Sequence, residues 1–445
     1  MVLRSSRARS MQKCALWLLF ALVTAQAALA VPANFTPQRR VGYLTGDQWE
    51  PALAADGRGH IYILFPQYGA VSDCPACTAP TIALMVSNDN GVSWAAPRSL
   101  LVSSTGQFDP QIVVDPVDHQ TLYASWLQNN KRDVMVARSQ DFGRSWYFSV
   151  AERSRNNNNN NTNEEADKPV LAVHGADVYV GFNHEQNFLV AASHDYAQTF
   201  ASVAVNPGAE PGWSLAGGAA VDATGDVYFS WTAYSRRALS TRPVSIYVSR
   251  SADAGRSWNT VLLDVSGAPP DCAAEGCEPG YLGAQIALAS DAAGTLYALW
   301  NAGAANGGPE RIYFSSSTSG GASWSAKADV SLADASAEHC FPAITAGVAG
   351  DVRIAWMDAR NLTLQNQPLW NVFQRSSSNG GATWSPENQL SGPVRGYDYI
   401  LREGFRFPFG DYFSIAIDNL GTTHVVWGAG RNYKSPGSIW YTRGR

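Results

Sequence analysis

Four acidic residues lie just before apolar segments that resemble one another. They are Glu50, Asp109, Asp167 and Asp411, and they are spread over the whole chain. Carboxyl groups that meet in one cleft can divide between them the acid and base roles of a hydrolytic reaction. Acidic side chains in such positions also cap turns, so a purely structural role is the alternative interpretation. These four residues can act together as acid and base only in a fold that brings their distant segments together.

Arginines follow a second set of apolar segments, each of which contains a tryptophan. Arg236 occurs in "WTAYSRR", Arg360 in "WMDAR" and Arg431 in "WGAGR". Guanidinium groups aimed at one point from several segments would bind a ligand carboxylate through paired hydrogen bonds. The alternative is that these arginines pair with neighbours such as Asp358.

Histidine and tyrosine form a third group of candidates. His184 in "FNHEQ" and His339 in "EHCF" lie in places comparable to those of the arginines, and Tyr281 and Tyr412 flank apolar segments. Such a pair of residue types can abstract a proton from a carbon acid. An isolated histidine in a loop is also an ordinary polar surface residue.

The segments that must position these residues belong to a unit that occurs seven times. Each unit has an apolar run, a tight turn and a second run that ends in an aromatic residue, as in "PALAADGRGHIYILF" (51–65). A variable loop, a third run and another turn follow. Successive turn residues are 59, 59, 48, 69, 56 and 71 positions apart. They are Asp56, Asp115, His174, Asp222, Asp291, Gly347 and Asp418.

The turn after the third run carries an eight-residue motif, first seen as "SNDNGVSW" at 87–94. Its aspartate is Asp89, Asp141 and Asp253 in three intact copies and Asp195 in a degraded copy. The glycine permits a left-handed conformation, and serine and aspartate side chains can hold the backbone N–H groups of the turn. We therefore expect these four aspartates to be structural.

Each unit thus predicts four strands joined by a turn, a loop and a second turn, and the turn residues show that it repeats about every 58 residues. This pattern predicts an all-β fold. The expected architecture is a seven-bladed β-propeller of four-stranded antiparallel blades, with six blades as the alternative. The seventh unit stops before its fourth strand. We expect residues 34–46 to supply that strand and close the ring, which also removes exposed sheet edges.

The ring would have two unlike faces. The two turns of each blade would share one face, which we call the turn face. The starts of the first strands and the loops after the second strands would share the other, the start face. All the candidate acids, arginines and histidines fall on the start face, where the loops are longest. We therefore expect a ligand site around the channel on that face.

The eight-residue motif resembles the Asp box, or BNR repeat, of sialidases and related propellers. A second resemblance lies in "REGFRFPFGDY" (402–412), where "FRFP" is similar to the Phe/Tyr-Arg-Ile-Pro motif of sialidases. It implies that Arg406 binds the carboxylate of an acidic sugar, although Phe407 stands in place of isoleucine. It also implies that Tyr412, Glu403 and Asp411 supply the tyrosine nucleophile and the acids of a sialidase.

The resulting functional hypothesis is a glycoside hydrolase that acts on an acidic sugar or glycan, similar to an exo-α-sialidase. Its predicted catalytic and substrate-binding residues are Tyr412, Asp411, Glu403, Glu50, Asp109, Arg406, Arg360, Arg431, Arg236, His184 and His339. A polysaccharide lyase that uses histidine and tyrosine on uronate glycans is the first alternative. A non-catalytic propeller that binds carbohydrate or protein is the second.

The N-terminal segment predicts that the chain is exported from the cytoplasm. Residues 1–30 have the basic, apolar and small-residue parts of a signal peptide, which leaves residues 31–445 as one propeller domain, secreted or periplasmic. A net charge of −5 without a basic patch argues against nucleic acid, and we expect no membrane insertion, metal or cofactor. Export favours local disulfides at Cys74/Cys77 and Cys272/Cys277, which leaves Cys340 as a buried thiol.

Overall fold

A computed structural model describes residues 34–153, 165–184, 187–206, 212–235, 242–271, 280–364, 368–394, 410–430 and 437–445. These ranges consist of strands, turns and loops and contain no helix. Accordingly, they include no helix of the length and apolarity needed to cross a membrane. The predicted signal peptide, residues 1–30, lies outside them.

The strands of the described ranges form seven antiparallel sheets, which we number as blades 1 to 7. Blade 1 comprises Asp47–Gln48, Ala52–Ala55, Ile61–Tyr68, Thr81–Ser87 and Arg98–Ser99. Blade 2 comprises Phe108–Val114, Leu122–Gln128, Asp133–Ser139 and Tyr147–Arg153. Blade 3 comprises Ala166–His174, Asp177–His184, Asn187–Ser193 and Ala201–Ala204. Blade 4 comprises Trp213–Val221, Val227–Tyr234, Val244–Ser251 and Asn259–Ser266.

The remaining three blades follow the same order. Blade 5 comprises Ile286–Ser290, Leu296–Gly303, Glu310–Ser317 and Ala328–Asp329. Blade 6 comprises His339–Ala346, Val352–Leu362, Pro368–Ser377 and Asn388–Gln389. Blade 7 comprises Arg39–Val41, Ser414–Ile417, Thr423–Gly430 and Gly437–Gly444. The predicted seven-bladed propeller of four-stranded antiparallel blades is confirmed, with one short additional strand in blade 1, and the six-bladed alternative is wrong.

The blades are arranged around a central channel. In each blade, one strand runs from the start face to the first tight turn of the unit. This strand contacts its counterpart in the next blade, and the one in blade 7, Ser414–Ile417, contacts the one in blade 1, Ala52–Ala55. We call these seven the inner strands. The strands next to them are covered on both sides by neighbouring blades, so every residue of Ile61–Tyr68 and Leu296–Gly303 is buried. Five of them carry a fully buried tryptophan: Trp126, Trp231, Trp300, Trp356 and Trp427.

Blade 7 combines strands from both ends of the described chain. Arg39–Val41 lies antiparallel to Gly437–Gly444, with Val41 opposite Ile439. Val41 and Ile439 belong to an apolar cluster that also contains Phe65 of blade 1. The outer strand of blade 7 thus packs towards the first blade as well as within its own sheet.

The cysteines of the described ranges are in two states. Cys74 and Cys77 form a disulfide in the loop of blade 1 between Ile61–Tyr68 and Thr81–Ser87. Cys340 is a buried free thiol. Cys272 and Cys277 lie outside the described ranges, so their pairing stays a prediction.

The aspartates of the eight-residue motif bind the turn in which they lie. Asp141 Oδ1 accepts hydrogen bonds from the Ser139 hydroxyl at 2.9 Å and from the Ser145 backbone N–H at 2.8 Å. Its Oδ2 accepts the Ser145 hydroxyl at 2.6 Å. These bonds lower the pKa of Asp141 to about 2. The same contacts hold the turns of Asp89, Asp195 and Asp253.

The effect of these bonds can be measured at Asp141. Asp141→Ala is expected to lower the free energy of unfolding by about 1–2 kcal/mol, because it removes three hydrogen bonds from one turn. Asp141→Asn should cost clearly less, because Asn379 already holds the corresponding turn of blade 6 through Ser377 and Thr383. Denaturant unfolding at pH 7 measures both. Equal losses in the two variants would show that the charge matters rather than the hydrogen bonds.

Candidate active site

One position of the repeat lies at the start of every inner strand, six residues before the turn residue. It is occupied in blades 1 to 7 by Glu50, Asp109, Lys168, Ala216, Gln285, Phe341 and Tyr412. Charged residues therefore stand on blades 1 to 3 and uncharged residues on blades 4 to 7. The inner strands enclose a cavity of about 210 Å³, and Asp109, Lys168, Gln285 and Tyr412 are among the residues that line it.

Four of these residues have an unusual backbone. Glu50, Asp109, Lys168 and Phe341 each precede a proline and have φ values of 52°, 52°, 44° and 54°. The strand register shifts at this point in blades 2, 3 and 6, which is the signature of a β-bulge. Phe341 adopts the bulge with an apolar side chain. The bulge is therefore a property of the fold, and the charges at the other three positions are not needed to form it.

Asp109 and Asp167 form a carboxyl pair beside Lys131. The Lys131 ammonium is 2.9 Å from Asp167 Oδ1 and 3.8 Å from Asp109 Oδ2. Burial disfavours the charge of Asp167, but the ion pair with Lys131 outweighs this and lowers its pKa. Burial, helped by the nearby Asp167 and Asp411 and opposed by Lys131, raises the pKa of Asp109 to about 7. Two neighbouring carboxyls thus titrate far apart.

Glu50 and Asp411 form a second carboxyl pair beside Lys168. The Lys168 ammonium is 3.1 Å from Asp411 Oδ2, and the Asp411 backbone N–H donates to Glu50 Oε1 at 3.3 Å. Glu50 is 2% exposed, and its burial, with the charges of Asp411 and Asp109, raises its pKa well above the usual range. Gly410, with φ of 73°, permits this approach, since a β-carbon there would lie 2.9 Å from Glu50 Cγ.

We call these six residues, Glu50, Asp109, Lys131, Asp167, Lys168 and Asp411, the acid–lysine cluster. The structure thus brings together the four acids that the sequence singled out, from blades 7, 1, 2 and 3. Three buried carboxyl oxygens, Glu50 Oε2, Asp109 Oδ2 and Asp411 Oδ1, receive no hydrogen bond from any described residue. Four carboxylates and two ammonium groups would leave two negative charges uncompensated. The raised pKa values of Glu50 and Asp109 favour protons on these two carboxyls, which would make the cluster neutral and supply the missing donors.

Tyrosines border the acid–lysine cluster. The Tyr412 hydroxyl donates to the Pro110 carbonyl at 3.4 Å, and the Lys168 ammonium lies 5.7 Å from the centre of its ring. Burial and the charges of Glu50, Asp109 and Asp411 raise the pKa of Tyr412 well above its usual range. Burial and the same acids also raise the pKa of Tyr68. Both phenols therefore stay protonated at neutral pH.

Arg360 and His339 lie in a buried polar network of blade 6 and do not line the cavity. The Arg360 Nε is 2.8 Å from Asp358 Oδ1, and the guanidinium also contacts Glu387. His339 is fully buried, with Nδ1 2.9 Å from two backbone carbonyls and Nε2 2.8 Å from Ser331 Oγ. Burial lowers the pKa of His339. Both side chains are therefore already hydrogen-bonded to protein groups away from the cavity.

The other predicted site residues are placed as follows. His184 is the last residue of its strand in blade 3, opposite Asn187, and is partly exposed. Tyr281 is buried and its hydroxyl donates to the Gly410 carbonyl, next to the cluster. The roles of the remaining residues stay predictions, because these residues lie outside the described ranges: Arg236, Glu403, Arg406 and Arg431.

Sequence reasoning missed the two lysines and Tyr68. Lys168 could have been found, because it occupies the same repeat position as Glu50 and Asp109. Lys131 lies in the variable loop after the second strand of blade 2, where the repeat sets no residue type, so no repeat signal marks it. The rarity of lysine was a weaker signal for both residues. The chain has only five lysines, and two of them lie in the cluster.

The acids of the cluster are not arranged as a metal site. The described ranges contain no group of three or more histidine, cysteine, aspartate or glutamate residues that could hold a metal ion. The lysines occupy the space between carboxylates that a cation would otherwise fill. What the arrangement can do is hold and release protons beside a cavity.

Comparison with known proteins gives the fold. No family model matches the chain, and no curated protein matches it. Among solved structures, a puromycin hydrolase matches with a TM-score of 0.50 and 12% identity over 87% of this chain, which spans about half (51%) of that protein. An ulvan lyase matches with a TM-score of 0.49 and 12% identity, covering 90% of this chain and 95% of the other. An intramolecular trans-sialidase from Ruminococcus gnavus matches with a TM-score of 0.47 and 13% identity, covering 91% and 97%. At these identities the likeness concerns the fold alone.

Proposed function

We propose that this protein hydrolyses glycosidic bonds at the start face of its channel, with Asp109 as the general acid. The observation that carries the proposal is the carboxyl pair of Asp109 and Asp167 at the cavity. One member has a pKa of about 7 and the other is held ionised by Lys131. An acid that is still protonated near neutral pH can protonate the oxygen of a departing sugar.

A second carboxylate is needed on the other side of the bond that breaks. Asp411 fits this role, because it comes from blade 7, is paired with Lys168 and keeps a partly exposed side chain. It would stabilise the positive charge that develops on the sugar ring, or activate the attacking water. Tyr412, whose phenol stays protonated, would then donate a hydrogen bond to the substrate rather than attack it.

The preference for an acidic sugar stays a prediction of the sequence. It depends on Arg236, Arg406 and Arg431, which lie outside the described ranges. Arg360, the other predicted member of that set, is bound to Asp358 and Glu387. The described residues support acid-catalysed hydrolysis without fixing the charge of the sugar.

We also propose that residues 31–445 act as one exported domain. The seven blades share one channel, and no described blade forms a separate body. The disulfide between Cys74 and Cys77 is the kind of bond that persists in oxidising compartments. Export would place the protein where extracellular glycans are available.

The test is a panel of oligosaccharides and alkyl glycosides, including a sialoside, whose leaving groups need a proton from the acid, assayed from pH 4 to pH 9. We expect hydrolysis of at least one glycoside, with a rate that falls about tenfold per pH unit above pH 7. The reason is that Asp109 must be protonated to act as the acid, and its pKa is about 7.

Uronate polysaccharides belong in the same assay, because a lyase would form an unsaturated product that absorbs ultraviolet light. That product, without glycoside hydrolysis, would replace the proposal with the lyase alternative. Glycan binding without turnover on either panel would replace it with the binding-protein alternative. A rate that does not fall above pH 7 would remove Asp109 from the role of acid.

A further inference from the structure

The loop that carries Lys131 has a costly conformation. Asn129, Asn130 and Lys131 follow one another with φ values of 56°, 55° and 60°. Asparagine enters the left-handed region readily, but lysine does so only at a cost, and consecutive left-handed residues are unusual. Such strain persists where the surrounding structure imposes it, and it is concentrated at functional sites.

The strained loop is fixed by contacts to both sides of the carboxyl pair. The Lys131 carbonyl accepts the backbone N–H of Ala166, in the inner strand of blade 3, at 2.9 Å. The Lys131 ammonium lies 5.7 Å from the centre of the Phe108 ring, in the inner strand of blade 2. These contacts hold its nitrogen 2.9 Å from Asp167 and 3.8 Å from Asp109. The loop therefore delivers one cation to the boundary between two blades.

We propose that Lys131 is a positioning residue that controls whether the Asp109 carboxyl keeps its proton at neutral pH. This inference rests on the proposed function, in which Asp109 is the acid. The charged and titratable groups that face Asp109 are Glu50, Tyr68, Lys131, Asp167, Asp411 and Tyr412. Burial and the negative charges of Asp167 and Asp411 favour the protonated form of Asp109. Lys131 is the opposing group, and its distance from Asp109 determines the balance.

The experiment compares Lys131→Met with the wild-type protein. Carbon NMR of protein labelled at the aspartate carboxyls would follow the Asp109 signal with pH, with Asp109→Asn used to assign it. We expect this signal in Lys131→Met to titrate about 1–3 pH units higher than in the wild type, because an opposing cation is lost. The alkaline limb of the pH–rate profile should move upward with it, which gives about tenfold more relative activity per unit at high pH.

Two further variants separate charge from structure. Lys131→Arg keeps the cation and should leave both titrations within about half a unit of the wild type. Lys131→Gly removes the cation but relieves the left-handed backbone, so it should shift the titrations like Lys131→Met even if the methionine variant folds poorly. A purely structural role of Lys131 would change stability without moving either titration.

The outcomes distinguish this inference from the function on which it rests. An unmoved Asp109 signal in Lys131→Met and Lys131→Gly would overturn the inference, whatever the activity. A shifted signal with an unmoved pH–rate profile would instead remove Asp109 as the acid and leave the coupling to Lys131 standing. A protein that hydrolyses none of the glycosides can still be titrated by NMR, so the inference can be decided without turnover.

Discussion

Asp109→Asn is expected to lower kcat about a thousandfold on any glycoside that the protein hydrolyses, since general-acid catalysis contributes about 10²–10⁴. Asparagine has the shape of the protonated acid, and its amide can donate a hydrogen bond to Asp167 in the same way. It lacks only the transferable proton. KM should therefore change little, and the loss should appear in kcat. Steady-state kinetics at pH 6, where Asp109 of the wild type is protonated, measures both.

The same substitution should stabilise the protein above neutral pH. The pKa of Asp109 is about 7 in the folded protein, against an ordinary value of 3.8. A raised folded pKa means that the wild type loses stability as the pH rises from about 4 to about 7, by about 4 kcal/mol in total. Asparagine does not titrate and so avoids this loss. We expect Asp109→Asn to match the wild type near pH 4 and to exceed it in unfolding free energy at pH 8.

A matched control removes a negative charge outside the cluster. Asp334→Asn changes an exposed aspartate in the loop between blades 5 and 6 and should alter neither kcat nor the pH dependence of stability. A gain of stability in Asp109→Asn with full activity would show that the carboxyl is a strained structural residue and not an acid. A loss of stability at pH 8 would contradict the protonation of the cluster itself.

The repeat made the fold predictable. Each blade is built from hairpins, so the turn residues and the strands on either side of them lie close together in sequence. Seven hairpins at similar spacings with no helical pattern allow few architectures. The same regularity placed Glu50 and Asp109 at equivalent strand starts, and equivalent positions in a ring must face one channel. The convergence of acids from different blades follows from that symmetry.

Contacts that break the symmetry were not predictable from the repeat. Lys131 contacts Asp167 only because one irregular loop of blade 2 leans against blade 3. Arg360 was expected in a loop of the start face, but its strand, Val352–Leu362, continues through it. Its contact with Asp358 is the one that the alternative interpretation of the sequence predicted. Where a strand ends depends on the packing of its neighbours, and sequence periodicity does not encode that.

Lys168→Met is expected to destabilise the protein by about 3 kcal/mol at pH 8, because it leaves the partly buried Asp411 carboxylate without its cation. Lys168 is 8% exposed, and its ammonium is the partner of Asp411 Oδ2 at 3.1 Å. It also lowers the pKa of Glu50 against the effect of burial. Methionine keeps most of the apolar stem, so packing on Tyr412 is largely preserved. Thermal and denaturant unfolding at pH 5 and pH 8 measure the change.

The loss should shrink at pH 5, and this pH dependence identifies its cause. Without Lys168, the pKa of Glu50 is expected to rise further, because burial raises it and Lys168 opposes that effect. A folded pKa raised in this way gives stability that is present at low pH and lost as the pH rises.

Lys327→Met is the control, because Lys327 pairs with Asp264 at 2.7 Å with 44% of its side chain exposed. Such a surface pair is worth about 1 kcal/mol or less, and its loss should be similar at both pH values. An equal loss at pH 5 and pH 8 in Lys168→Met would mean that the apolar stem of Lys168, and not its charge, stabilises the protein.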